Sequence, residues 1–145
     1  KDFDAFYSIL LNSKKNYKTK PTHSLQELKR IKKLFPLNCE LLLSYYKNKV
    51  VGGSFLIFVN ERVCLVFYNV IEKHYRGSQL STYQLYQCMG SALKRGSSLI
   101  DFGVSQTPEA TNPLNPKMSL IKFKEQFGAF GVMRRVYKKN FYYDK

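Results

Sequence analysis

Two histidines, His23 and His74, and three cysteines, Cys39, Cys64 and Cys88, are the side chains best suited to nucleophilic or metal chemistry, and their arrangement excludes more than it offers. The cysteines are odd in number, widely spaced and free of any Cys-x-x-Cys, so neither a disulfide framework nor a zinc site is indicated. Each lies in or beside an apolar segment, as small buried thiols of a reducing, cytoplasmic compartment do. With two histidines no Ser-His-Asp arrangement is apparent, and no metal site is expected. Three other places hold reactive groups: Lys124 in Phe-Lys-Glu-Gln-Phe-Gly, Asp101 between Ile100 and Phe102, and the run His74-Tyr75-Arg76-Gly77-Ser78-Gln79. Each has an ordinary reading. Lys124 can be a solvated helix lysine among Lys117, Lys122, Lys138 and Lys139. Asp101 can be a carboxylate holding backbone N–H groups or a nearby lysine, and the Arg76-Gly77 run a tight turn ahead of a helix.

The charge narrows the class of partner. Twenty-four Lys and Arg stand against ten Asp and Glu, a net charge of +14, and such a field draws phosphates, nucleic acid or an anionic membrane surface. Hydrophobic residues at 44% and charged residues at 23% lie in the ordinary globular range, which argues against a disordered chain. A chain of 145 residues is long enough for one domain with a full core. No apolar run reaches the length of a membrane span and no signal-like start is present, which leaves peripheral membrane contact as the membrane option. The opening Lys-Asp-Phe-Asp-Ala-Phe has no initiator Met and begins as if a helix were under way, so it is read as an internal boundary of a longer polypeptide.

The elements that must position these groups follow from periodicity. Phe3, Phe6, Tyr7, Leu10 and Leu11 predict a helix from Asp2 to about Asn16. A second starts at Ser24, where Ser24 and Glu27 form a capping box, and stops at Pro36; His23 belongs to its approach. Glu40 to Tyr46, Val50 to Val59 and Val63 to Ile71 are apolar, branched and aromatic, separated by short polar breaks, and predict an antiparallel meander. A helix from about Gln79 to Arg95 follows, then a short buried strand from Ser98 to Phe102 with Gly103 permitting a sharp turn. Ser105 to Lys117, with Pro108, Pro113 and Pro116, predicts a loop of the long kind that often serves function. Ser119 is expected to cap a helix through Phe127, Gly128 to end it, and Val132 to Lys138 to return as a strand. The order is α-α-β-β-β-α-β-α-β.

That order is the order of the GNAT acyltransferase core, an α/β (α+β) fold with a mixed, mostly antiparallel sheet. Three stretches strengthen the likeness. KPTHSLQELKRIKKLFP, from Lys20 to Pro36, resembles the second helix of Fem-like acyltransferase domains found among cell-envelope and polysaccharide genes. LIDFGVS, from Leu99 to Ser105, resembles their strand ending in Asp-Phe-Gly-x-Ser, and SLIKFKEQFGAFGV, from Ser119 to Val132, their closing helix. The resemblance implies one GNAT-like domain over residues 1–145, the C-terminal half of a tandem-domain protein whose preceding half is a second copy. It also implies transfer of an acyl or aminoacyl group to an amine.

Such transfer requires a held donor, a deprotonated amine and a positive or hydrogen-bonding group where the oxyanion develops, but no nucleophilic side chain. In the resemblance the donor pyrophosphate rests on backbone N–H groups at the start of the long helix. That assigns donor binding to Asn69, Val70, Arg76, Gly77, Ser78 and Gln79. The stretch departs from the usual Gln/Arg-x-x-Gly-x-Gly/Ala, since Gly77 follows Arg76 directly and no second Gly occurs. The same resemblance gives Lys124 to the charge developing on the donor, Asp101 to the acceptor amine, and His74, Tyr75, Tyr83 and Ser105 to substrate contact. Acyl-coenzyme A and aminoacyl-tRNA are both polyanions, and the positive field agrees with either. Three functions stay open: an N-acyltransferase acting on an amino sugar or envelope precursor, a Fem-type transferase using charged tRNA for peptidoglycan precursors, and a module of the same fold that binds nucleic acid or an anionic surface without catalysis. The scattered basic residues and core-placed aromatics favour the enzymes over an RNA-binding module.

Overall fold

Apolar residues three and four apart wind Asp2–Lys15 into α1, which buries Phe6, Ile9 and Leu10 and places Asp2 and Asp4 in its first turn and Lys14 and Lys15 in its last, complementing the helix dipole. In this computed structural model residues 2–16, 18–106, 112, 115–133 and 137–139 are described. The second helix, α2 (Leu25–Leu34), begins at the expected capping box. Glu27 N donates to Ser24 Oγ at 3.2 Å, and Ser24 N donates to Glu27 Oε2 at 2.6 Å. Hydrogen bonding from Ser24 holds the Glu27 carboxyl below the ordinary glutamate value.

The meander forms as read: β1 (Cys39–Tyr46), β2 (Lys49–Phe58) and β3 (Val63–Ile71) pair antiparallel in succession. Lys47 (φ 45) and Asn48 (φ 63) take the left-handed conformations that a two-residue hairpin requires. At the next turn, Asn60 Oδ1 accepts from the backbone of Arg62 at 2.9 Å and Val63 at 3.0 Å. The helix α3 (Leu80–Lys94) then crosses over, and β4 (Leu99–Asp101) joins β3 in parallel, giving the order β1-β2-β3-β4. This is the mixed α/β architecture with a mostly antiparallel sheet that the element order predicts.

β2 is buried continuously from Val51 to Leu56 because helices press on both faces of the sheet. A Cβ on Gly53 would lie 3.0 Å from the Phe6 ring of α1, and one on Gly52 would lie 2.2 Å from Gln84 Oε1 of α3. Consecutive glycines let both helices approach the same stretch of strand. The α1 and α2 face is cored by Phe6, Ile9, Leu10, Leu28, Phe55 and Val70. On α3, Gln84, Leu85, Cys88 and Ala92 are buried.

The chain divides into two compact units, Lys1–Gly103 and Val104–Lys145. The elements above belong to the first. The second holds α4 (Met118–Glu125), which differs from its reading: Lys117, not Ser119, is the capping residue, and no side chain caps the helix. Lys117 N is already held by Ser105 O at 2.7 Å, which fixes the start two residues before Ser119. The helix closes at Glu125, short of Phe127, and Gly128 (φ 74) ends the following turn. Pro108 and Pro113 of the predicted loop, and residues 134–136 of the predicted strand Val132 to Lys138, lie outside the described residues; the described positions beside that segment carry no strand. No described helix is long and apolar enough to cross a membrane.

Candidate active site in a splayed sheet

β4 accompanies β3 only from Val63↔Leu99 to Leu65↔Asp101. Beyond that point β3 runs on from Val66 to Ile71 with β2 on one side and, among the described residues, no strand on the other. Two local causes open the sheet there. Asp101 Oδ1 accepts the Gly103 N–H at 2.7 Å, and Gly103 at φ 71 turns the chain away, a conformation that costs glycine little. On β3 the register jumps from Phe55↔Tyr68 to Leu56↔Val66, leaving Phe67 as a bulge residue that bends the strand.

The bulge also decides which side chains face which helix. Phe67 and Tyr68 both meet His23, with ring centroids 5.0 and 6.2 Å away, and His23 Nδ1 lies 3.1 Å from Tyr68 Oη. Tyr7 Oη donates to His23 O at 3.2 Å. A half-buried His-Tyr pair thus stands beside the open edge of β3. Sequence reasoning placed His23 only at the start of α2 and did not single out Tyr68, because a bulge leaves no mark in the alternation of an aromatic-rich strand.

On the opposite face a polar network joins β2, β3 and α3. Asn69 Oδ1 accepts from Ser54 Oγ at 2.9 Å and from Gln84 Nε2 at 2.6 Å, while Asn69 Nδ2 donates to Ser81 Oγ at 3.2 Å. The side chain of Asn69, expected to bind donor, is therefore committed to seating α3 on the sheet. Val70 is buried in the α1 core with its carbonyl accepting from Gln84 Nε2 at 3.2 Å, so only its backbone can face a ligand. Gln84 Oε1 is buried and has no partner among the described residues.

The run from Lys73 to Ser78 is a 3-10 helix, and Gln79, at φ 55, stands as the left-handed residue before α3 and is not its first turn. No side chain caps α3, and the positive end of its dipole lies at this start. His74, Arg76, Gly77 and Gln79 are exposed beside it, and Tyr83 is exposed on its first turn. Ser78 Oγ donates to Tyr75 O at 2.7 Å, and the Tyr75 ring meets Tyr46 at 5.5 Å.

In the second unit the structure brings together two residues that the sequence reading had named apart. Lys124 Nζ donates to Ser105 Oγ and to Val104 O, each at 3.0 Å, and Lys124 is half-buried, unlike its exposed neighbours Lys117 and Lys122. The cysteines offer no nucleophile. Burial pushes the Cys64 thiol up to about 11 and raises Cys39 and Cys88 as well, so all three stay protonated at neutral pH. Among the described residues no cluster of His, Cys, Asp or Glu is placed to hold a metal ion. A groove of about 540 Å³ exists elsewhere, beside β1, lined by Asp2, Lys32, Leu37 and Arg95 among others. Its cations are engaged, Lys32 by the carbonyls of Pro36 and Cys39 and Arg95 by that of Leu37, so it is a weak candidate for a charged donor.

The sequence matches no family model and no curated protein. Solved structures do resemble it. A possible acetyltransferase from Clostridium difficile 630 superposes with a TM-score of 0.69 at 13% identity, covering 98% of this chain and 93% of that one. The chain has the GNAT fold. A ribosomal-protein-alanine N-acetyltransferase from Brucella melitensis biovar Abortus 2308 aligns with a TM-score of 0.63 at 17% identity over 97% of this chain and 94% of that one. A GNAT family acetyltransferase from Elizabethkingia anophelis, solved with acetyl-CoA bound, aligns over 68% of this chain and 59% of its own length, with a TM-score of 0.51 at 13% identity. The GNAT part of the sequence resemblance is thereby supported at the level of fold; at such identities fold does not carry substrate.

Proposed function

We propose that this GNAT-fold chain is an N-acyltransferase that takes acyl-coenzyme A as donor and a primary amine as acceptor. The observation that supports it is the opening beside β3, where backbone from Val66 to Ile71 stands without a β4 partner next to the uncapped start of α3. An extended amide-bearing donor arm can hydrogen-bond along such an edge as a short added strand does, while its pyrophosphate meets the α3 N–H groups and Arg76. Gly77 has open space where a Cβ would stand, so a phosphate can approach its backbone. The fold neighbour from Elizabethkingia anophelis, which holds acetyl-CoA, agrees with this donor class.

In the reaction the neutral amine attacks the thioester carbonyl, the new C–N bond forms, the C–S bond breaks, and the amine proton leaves as the thiolate of coenzyme A is protonated. Nothing here needs a covalent enzyme intermediate. Asp101, half-buried at the end of β4, is assigned to orient the acceptor amine. Lys124 keeps the role that the sequence resemblance gives it, at the charge developing on the donor; within the second unit its ammonium is held by Val104 and Ser105. The acceptor class carried over from the sequence resemblance is an amine of a sugar or cell-envelope precursor. The same reading keeps the expectation of a cytoplasmic, tandem-domain parent chain.

Acetyl-CoA should raise the melting temperature of the chain, because a ligand that binds only the folded state stabilises it by mass action, by about 2.7 kcal/mol at a hundredfold excess over Kd. Labelled acetyl groups should then appear on an amino sugar in an acceptor panel. Stabilisation by aminoacyl-tRNA and not by acetyl-CoA would replace this reading with the Fem-type one. Binding of RNA or anionic polymer with no transfer would replace it with the non-catalytic module.

A further inference from the structure

The end of the sheet remote from the α3 start gathers a second feature that the transferase reading does not use. There α2 finishes, β1 begins, β2 turns into β3, α3 finishes and β4 begins. The backbone records the convergence: Phe58 N donates to Asn38 O, Leu99 N to Arg62 O, and the Arg95 side chain to Leu37 O. Each of these segments exposes a large apolar side chain: Leu34, Phe35, Leu37, Val59, Leu93 and Leu99, with Leu37 79% and Leu93 75% exposed. Scattered surface leucines need no explanation, but a set drawn from five different segments to one end does.

The same end is basic. Arg30 and Lys33 flank Leu34 on α2, Lys94 follows Leu93, and Arg62 and Arg95 stand between them, all exposed. Asp2 and Glu61 are exposed acids nearby, Asp4 is paired with Lys29 at 2.8 Å, and Glu40 is held by Ser91 at 2.7 Å and by Arg95 at 3.8 Å. Apolar side chains ringed by cations, on a chain of net charge +14, fit a surface that is negative at its face and apolar just beneath. A protein partner would require a matching acidic and apolar patch; an anionic bilayer supplies both properties everywhere.

We infer that this end of the first unit docks on an anionic lipid bilayer, with Leu34, Phe35, Leu37 and Leu93 entering the headgroup boundary and Lys33, Arg62 and Lys94 meeting lipid phosphates. α3 is 15 residues long, so its N-terminus stands about 22 Å from the docked end, and the opening beside β3 stays accessible to a dissolved donor. Docking is independent of whether the chain catalyses acyl transfer.

The test is cosedimentation of the 145-residue chain with phosphatidylcholine vesicles, with and without phosphatidylglycerol. The chain should bind the anionic vesicles and not the neutral ones. The double variant Leu37→Ser with Leu93→Ser, unchanged in charge, should bind about tenfold more weakly, since each leucine loses its burial in the boundary. Lys33→Gln with Lys94→Gln should lose about fivefold per lysine. Lys18→Gln with Lys20→Gln, between α1 and α2, should change binding by less than about twofold, because those lysines stand away from the docked end. All six positions are exposed, so unaltered melting temperatures will verify folding. Equal binding to both vesicle types, or equal loss for all three variants, would overturn the inference. So would self-association abolished by the leucine variant without vesicle binding, or capture by RNA but not by vesicles.

Discussion

The ammonium of Lys124 is held by Val104 O and Ser105 Oγ, each 3.0 Å away, and in the proposed reaction a group so held would meet the developing charge without reorganising. Ser105→Ala should therefore lower kcat several-fold with a smaller change in KM, while Lys124→Ala should lower kcat by at least about a hundredfold. Because Lys124 also ties α4 to residues 104 and 105, its removal should cost about 1 kcal/mol of stability. Equal kcat in Lys124→Ala and the parent, read from steady-state rates, would remove Lys124 from the reaction. Both residues were legible in the sequence, though not their contact, since nothing local joins positions nineteen apart. Asn69 shows the opposite limit. The resemblance gave it to the donor, but the bulge at Phe67 resets which side chains face α3, and the Asn69 side chain closes a network with Ser54, Ser81 and Gln84. Alternation fixes faces only while the register is unbroken.

Elements were more legible than contacts because their signals are local. The Ser24–Glu27 box predicts its own energetics: Ser24→Ala should destabilise the chain by about 1 kcal/mol. The sign of its pH dependence follows from the lowered Glu27 carboxyl. A carboxyl depressed in the folded state adds stability that is complete above the unfolded value and is lost as pH falls through the folded value. On acidification through that range the chain should therefore lose the bonds that the Glu27 carboxylate accepts from Ser24, while the bond from Glu27 N to Ser24 Oγ persists, and Glu27→Gln, which cannot titrate, should show a flatter profile in urea unfolding. Gly53→Ala should destabilise by about 2–3 kcal/mol, since the added Cβ would lie 2.8 Å from Leu42 O and 3.0 Å from the Phe6 ring, both in the packed interior. A midpoint unchanged from the parent would contradict the close seating of α1 on β2. The starts of α3 and α4 were less legible: Gln79 adopts a left-handed conformation that few non-glycine residues take, and Lys117 is placed by a backbone bond to Ser105.

At the scale of the whole molecule, charge and fold act together. A net charge of +14 raises the local concentration of any polyanion, and the site proposed for such a donor is the open edge of β3 beside the start of α3. The element order carried this much in the sequence, because antiparallel neighbours and a crossover helix leave few alternative sheets. The opening itself depends on Asp101 and Gly103 turning the chain out of the sheet after three paired residues, a local contact that periodicity does not report. Amide hydrogen exchange with and without acetyl-CoA tests the account most directly. It predicts slowed exchange at Val66 to Ile71 and in the first turn of α3, with little change at the β1 edge. Full exchange rates at those amides under saturating acetyl-CoA, or protection confined to the β1 groove, would contradict it.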